Sequence, residues 1–424
     1  MMLEGNQRGG AYQMARHLLN TKDNEHVEIH EVSGFVSDTV YGALQEIHAI
    51  ARGTKCKQFM FSVSLNPPPN ATAPTEYFKN ALMRIEGELG LFNQSRVIVF
   101  HEKEGRRHAH CIWSRIDAQD MKAINLPHYK RKLNEISKKL FLEHGWELPQ
   151  GFIDNALRNP LNLTREEWQQ AKRSDQDPRL LKQLFKRAWE RSDGKPAFQQ
   201  ALQEHGFWLA KGDRRGFVAV DYKGEVYSLS RWTGVKTKAL NNKLGAPDNL
   251  PCVEDVKAQI AQNMTLKLQT HIKAVEAKLK KDFQPIKRAV QTVKTRHQSE
   301  RQILKKKQAE RWQTEERQRI NRLPRGLMGL WHRITGKYQR ICKINEQETQ
   351  TCTIRDRDEK QALIDKQLAQ RQRLQTQIQK TREKHNKIVF ALRRDIGLYT
   401  EMNQKQDLAF KAGQSQKHSH IQVM

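Results

Sequence analysis

Three histidines, His101, His108 and His110, stand close together in one stretch of this 424-residue chain, Val97 to Asp117, which reads VIVFHEKEGRRHAHCIWSRID. Two apolar runs, Val97–Phe100 and Cys111–Trp113, bracket a polar turn centred on Glu104–Arg107. Short apolar runs split by a Gly-bearing turn predict a strand pair. Side chains alternate faces along a strand, so His108 and His110 share a face, and hairpin pairing returns His101 beside them. Three imidazoles on one face make a divalent-metal site with positions left for substrate or water. A lone strand histidine is ordinarily structural. Three in the string H-x-x-E-x-x-x-H-x-H, with Glu104 in the turn and Arg106 and Arg107 beside them, form a pattern that packing alone does not require.

The elements that position this hairpin are readable on either side of it. A basic, Gly-containing lead-in, Gly5 to Gly10, is either a phosphate-holding segment or a flexible start, and leads into a helix over Ala11 to Asn20. A strand follows at Glu25 to Val32, with Glu25, Val27, Ile29 and Glu31 on one face and His26, Glu28, His30 and Val32 on the other. Its polar character fits an edge strand better than a contribution of His26 and His30 to the site; Glu28 is placed to orient a metal-bound histidine. A helix from Asp38 to Ala51, a central strand at Gln58 to Leu65 stopped by Asn66-Pro67-Pro68-Pro69, and a helix from Thr75 to Gly90 lead to the hairpin. The expected α+β domain, residues 1–150, buries one sheet face and offers the other to a ligand.

Composition tests the ligand class independently. The formal net charge is +28, and a chain so rich in Lys and Arg points to a polyanion, nucleic acid first. No run of about 18 apolar residues exists to span a membrane, and MMLEGNQRGG lacks the apolar segment of a secretory signal. Cys56, Cys111, Cys252, Cys342 and Cys352 form no C-x-x-C pair, which fits a reducing cytosol and no disulfide framework. Cys111 reads as a small buried hydrophobe.

Beyond the hairpin, Pro127 to Gly145 reads as a basic helix in which Lys130, Arg131 and Lys132, with Lys138 and Lys139, are candidates to follow a phosphate backbone, Tyr129 is a candidate for base stacking, and Leu133, Ile136, Leu140 and Leu142 face inward. Residues 151–192 read as a helical linker. A small α+β module follows at 193–250, with strands at Phe207–Ala210, Phe217–Asp221 and Val226–Leu229 and a first turn crowded by Lys211, Arg214 and Arg215; it reads as an auxiliary DNA-holding unit or a spacer. From 251 to 400 Lys and Arg outnumber Asp and Glu more than twofold, and the pattern is two long basic helices, a helical hairpin or imperfect coiled coil, breaking at Leu323-Pro324-Arg325-Gly326. The apolar residues of Gly326–Tyr338 read as a helix-packing patch in preference to a membrane-surface one. Residues 401–424 read as a disordered tail.

The string His101 to His110 resembles the histidine-triad motif of the mobilization relaxases, MobA/Vir-type nuclease domains within the HUH superfamily of single-strand DNA endonucleases. The resemblance covers about the first 150 residues. It implies an antiparallel sheet flanked by helices, one Mg²⁺ or Mn²⁺ held by His101, His108 and His110, and a nucleophile in the first helix. In these relaxases the nucleophile is usually a tyrosine in a string like A-x-Y-L; here Ala15-Arg16-His17-Leu18 matches, with His17 at that place. Tyr12 lies five residues earlier, about 140° around a helix, so the two cannot both face one metal. Both stay candidates, His17 ahead of Tyr12. One branch resembling this arrangement pairs a histidine nucleophile with the H-x-x-E-x-x-x-H-x-H motif, and its acidic residue, here Glu104, assists catalysis. Arg16, Arg106 and Arg107 are then candidates for clamping phosphate. The implied activity is nicking of one strand at an origin of transfer through a covalent 5′-phosphoryl protein–DNA adduct, for conjugative mobilization. Implied partners are single-stranded or supercoiled origin DNA, a relaxosome accessory protein and the coupling protein of a type IV secretion channel; the implied place is the cytoplasm, with translocation alongside DNA. The competing readings are a non-catalytic DNA-binding accessory protein that keeps the fold, and a zinc-stabilised RNA-binding protein.

Overall fold

The computed structural model describes residues 1–69, 71–153, 163–174, 176–213 and 216–421. They group into two units, Met1–Ile153 with Ile286–Ile378, and Asp154–Pro285 with Gln379–Met424. In the first unit the chain runs β1 (Met2–Arg8), α1 (Ala11–Leu18), β2 (His26–Ser33), α2 (Val40–Ala51), β3 (Met60–Asn66), α3 (Thr75–Leu89), β4 (Arg96–Lys103), β5 (Arg106–Ser114), a short hairpin of β6 (Ile116–Asp117) and β7 (Lys122–Ala123), α4 (Tyr129–Glu143) and α5 (Gln150–Ile153). Five strands form one antiparallel sheet in the order β1-β3-β5-β4-β2. The fold is α+β, as the alternation of short apolar strands with amphipathic helices requires.

Helices cover both faces of the sheet, because alternate residues of its inner strands are apolar in both directions. Phe61, Val63, Leu65, Ile98, Phe100, Ala109, Cys111 and Trp113 pack under α3 and α4. Met60, Val97, Val99 and Ile112 pack under α1 and α2. The face expected to lie open is therefore roofed by α1 and α2 over part of its length. In α2, Thr39 caps the first turn by accepting from Gly42 N–H, and Val40, Ala43, Leu44, Ile47 and Ala51 line its buried stripe. In α4 the buried residues are Leu133, Ile136, Ser137, Leu140 and Phe141; Leu142 is 69% exposed, since the stripe advances by three and four and Phe141 takes that place.

The first four residues of the basic, Gly-containing lead-in, Gly5 to Arg8, lie in strand β1 at the sheet edge. Its pattern is masked by Gly5 and by the polar residues of an edge, and only pairing with β3 fixes it. A Cβ at Gly5 would lie 2.5 Å from Leu133 Cδ1 and 3.0 Å from Phe61 Cζ, so glycine there lets α4 lie directly on the strand. β2 occupies the other edge, as its polar alternation predicts, with a bulge between Ile29 and Glu31.

The second unit has α6 (Arg165–Arg173), α7 (Pro178–Arg191), α8 (Lys195–Gln203), β8 (Phe207–Lys211), β9 (Phe217–Asp221), β10 (Val226–Ser228), α9 (Leu229–Thr233), α10 (Thr237–Leu244) and α11 (Val253–Asn263). The three strands form a meander. Leu181, Leu184, Phe185 and Ala188 of α7 join Phe198, Phe207, Tyr227 and Trp232 in its core, so the stretch read as a linker supplies a layer of this unit. Arg214 and Arg215 lie outside the described residues.

Two long helices follow, α12 (Leu266–Asn321) and α14 (Lys337–Ile421), joined through α13 (Gly326–Ile334). The helix reaches Ile421 where composition alone suggests an unstructured tail. Between residues 286 and 378 they run antiparallel, tied mainly by polar pairs: Arg301 to Gln367, Arg311 to Asp356 and Glu359, Arg355 to Glu315, and Arg322 to Glu348. Among the described residues no helix is long and apolar enough to cross a membrane.

Candidate active site

The hairpin closes through a two-residue turn. Lys103 pairs with Arg106, and Glu104 (φ 54°) and Gly105 (φ 71°) both adopt the left-handed conformation that a tight hairpin matching strand twist demands. That register sets His101 opposite His108, with His110 two residues further on the same face. The ring centroids lie 5.4 Å (101–108), 4.7 Å (101–110) and 5.1 Å (108–110) apart. One ring nitrogen from each histidine falls within 4.8 Å of the others. Nitrogens on one ion with bonds of about 2.1 Å sit about 3 to 4 Å apart, so sub-ångström side-chain movement brings all three onto a single ion. The residues fit a metal.

His17, in the last turn of α1, brings a fourth imidazole, 5.4 Å from the ring of His110 and 6.2 Å from that of His101. Its neighbour Leu18 holds the site in register, for the Leu18 carbonyl accepts from His101 Nε2 at 2.6 Å. A carbonyl can only accept, so Nε2 carries the proton and Nδ1 keeps the lone pair that a metal needs. Burial and neighbouring positive groups hold all three triad histidines below the ordinary imidazole range. His101 is lowered chiefly by desolvation, His108 is lowered to about 3 by desolvation with His101, Arg106 and Lys103 nearby, and His110 goes well below its usual value for the same leading reason, with Arg8 among its neighbours. Neutral imidazoles at physiological pH are ready ligands.

Other candidate residues fall elsewhere. Tyr12 is 55% exposed, with its ring 5.9 Å from Tyr41 on α2 and 6.0 Å from the Arg16 guanidinium. Glu104 sits in the turn, three residues or about 10 Å along the strand from His101, with its carboxylate 3.7 Å from Arg106. Arg16 is exposed with its guanidinium toward the Tyr12 ring, and Arg106 is exposed beside His108. Arg107 is not: alternation turns it to the opposite face, where it is 5% exposed, lies over the Phe100 ring at 3.8 Å, donates to Thr75 Oγ1 and meets Glu28 at 3.6 Å. Glu28 shares that face, held by Lys360 and Arg107, so the Leu18 carbonyl, not Glu28, orients a triad histidine. His26 is on this face beside Glu102, and His30 packs on Phe100. Lys130, Arg131 and Lys132 ride on α4, whose buried side covers the face away from the triad. Lys132 donates to the Glu88 carbonyl, and Arg131 lies 3.7 Å from Glu135. Tyr129 packs edge-on against Phe61 at 5.3 Å.

Sequence reasoning missed the polar strip beside the triad. Ser62 and Ser64 of β3 lie opposite Ile112 and His110, and Asn6 and Glu4 of β1 lie opposite those serines, with Arg8 next in line. Ser62 and Ser64 alternate with the apolar residues of β3 in sequence, but only the β1–β3 pairing places Asn6 and Arg8 there.

The family model Relaxase: MobA/VirD2-like, nuclease domain matches residues 14–146. No curated protein and no solved structure matches the chain. The match spans α1 through α4 and contains His17 and the whole triad, and it supports relaxase-type DNA nicking with single-stranded DNA as the ligand. Residues 14–146 are thus similar to the MobA/VirD2-like nuclease domains of the relaxases.

Proposed function

We propose that this chain nicks one DNA strand at an origin of transfer by transesterification, with His17 as nucleophile and His101, His108 and His110 as metal ligands. The convergence of the His17 ring on the triad, while Tyr12 lies against Tyr41, carries this reading. A bound divalent ion supplies a Lewis acid for the scissile phosphate. A neutral imidazole nitrogen of His17 attacks phosphorus, the P–N bond forms as the P–O3′ bond breaks, and the imidazole proton is released as the 3′ oxygen gains one. The products are a 5′-phosphoryl histidine and a free 3′ hydroxyl, and the reverse reaction rejoins the strand. Arg106, and Arg16 beside His17 in sequence, are the candidates to bind phosphate oxygens. Glu104, paired with Arg106 at the turn, takes no direct part on this reading. Mn²⁺ is favoured over Mg²⁺, because three imidazoles offer none of the oxygen donors that Mg²⁺ prefers. Mobilization, with coupling-protein recognition through the rest of the chain, is the biological setting this chemistry fits.

The test uses labelled single strands tiling the DNA around the gene, incubated with the protein and Mn²⁺ and resolved on a denaturing gel. An adduct destroyed by mild acid is a phosphoramidate and supports His17. It should vanish in His17→Ala, which keeps Mn²⁺ affinity within about threefold by calorimetry, whereas His108→Ala loses at least about tenfold in affinity. An acid-stable adduct lost in Tyr12→Phe transfers the role to Tyr12. Strand binding without any adduct leaves the accessory-protein reading.

A further inference from the structure

The turn between the two long helices carries an apolar face that is largely exposed among the described residues of its own unit. Leu327 is 88% exposed, Met328 64%, Leu330 57%, Trp331 60% and Ile334 74%. At 100° per residue, Leu327, Leu330, Trp331 and Ile334 fall within an arc of about 100° on α13, one continuous stripe. The patch expected from the sequence to mediate helix packing is instead open to solvent. Its surroundings are positive. From Arg317 to Asn345 there is no Asp or Glu, while Arg317, Arg322, Arg325, Arg333, Lys337 and Arg340 fall in that interval and are exposed. Arg322 meets Glu348, and Arg333 lies over the Tyr338 ring at 5.0 Å.

We infer that this tip docks on the surface of an anionic lipid bilayer, with the α13 stripe in the headgroup–acyl boundary and the flanking Lys and Arg on lipid phosphates. Charge and shape select that occupant. DNA satisfies the arginines, but Leu327, Leu330 and Ile334 have no planar face to stack on a base and gain nothing from a phosphate backbone. A second copy of the tip would bury the stripe while bringing two acid-free basic clusters together, which is repulsive. A bilayer with acidic headgroups offers negative charge and an apolar layer about 5–10 Å below it, and an exposed Trp at the edge of the stripe suits that boundary. Nine residues, Gly326 to Ile334, are too few to span, so the helix lies in the surface plane.

Flotation of the full-length protein with vesicles tests this. Vesicles of phosphatidylcholine alone are compared with vesicles holding about 30 mol% phosphatidylglycerol, in a buffer of moderate salt. The protein is expected to float with the second and not the first. A triple variant, Leu330→Gln, Trp331→Gln and Ile334→Gln, leaves every charge in place and changes only exposed side chains; it should lose at least about tenfold in vesicle affinity. The charge reversal Arg325→Glu with Lys337→Glu should lose affinity comparably, and both variants should keep the helical circular dichroism of the parent. Binding unchanged in the triple variant would place the attraction in bulk charge elsewhere and overturn the proposal, as would absence of flotation. A parent that self-associates, with a monomeric triple variant and no vesicle binding, would assign the stripe to a second copy.

Discussion

His101, His108 and His110 differ from surface histidines because the sheet and α1 strip them of water. Desolvation disfavours the imidazolium, and the neighbouring rings, with Arg106 and Arg8, add to the effect. His26, on the opposite face, is pushed down to about 4 by burial and by Arg301. The linkage has a definite sign. Between about pH 6.5 and 4 the unfolded chain protonates His26 and His108 while the folded chain holds them largely neutral, so the unfolded state binds more protons and stability falls as pH drops. Each such histidine contributes a slope of up to about 1.4 kcal/mol per pH unit in that window. Urea midpoints of the metal-free protein should therefore decline steeply from pH 7 to 5, and His26→Gln should flatten the profile. A midpoint constant across that range would contradict the burial argument.

The hairpin is the element on which the site depends, and its turn is under conformational strain. Glu104 holds φ 54°, a region that costs a residue other than Gly, Asn or Asp about 1 kcal/mol. Gly105 faces a further demand: a Cβ there would lie 2.8 Å from the Gln372 backbone nitrogen, and its carbonyl accepts from Gln372 Nε2. Glu104→Asn should stabilise the protein by up to about 1 kcal/mol in thermal or urea unfolding, since Asn suits this turn. It should leave adduct yield within about threefold, because the carboxylate sits at the tip and not among the imidazoles. A loss of adduct beyond about a hundredfold would restore to Glu104 the catalytic assistance that the resemblance implies.

Across the first unit, residues distant in sequence brace the residue next to the histidine cluster. Glu102 is fully buried and receives two hydrogen bonds from Arg301 Nη2, at 2.8 and 3.0 Å, and one from Arg371. Arg371 is itself held by His297 Nδ1 at 3.1 Å. Those guanidiniums and neighbouring positive groups keep the Glu102 carboxyl below its ordinary range against the opposing effect of burial. Arg371→Ala leaves a buried carboxylate short of charge compensation and should cost about 3–5 kcal/mol of stability. Adding Glu102→Gln should recover much of that loss, a coupling that a double-mutant cycle of urea midpoints measures. Additive losses would show that the pair is not coupled.

The triad, the central strands and the amphipathic helices were legible from the sequence because each rests on local periodicity: alternation by two placed His108 with His110, and the three–four stripe placed α2 and α4. The A-R-H-L string likewise marked His17 by analogy with a family. What the sequence left open depends on pairing across the fold. Whether Arg107 faces the histidine cluster or the opposite core is fixed by the register of a hairpin whose turn is two residues long. Strand β1 exists through pairing with β3, since its own residues, with Gly5 among them, carry little propensity. The partners of Glu102 lie 199 and 269 residues away, a separation that no local pattern encodes. The sequence by itself determined which side chains could bind a metal; the tertiary structure decided which imidazole stands over them and which charges are spent inside the protein, because burial and register are properties of the folded chain.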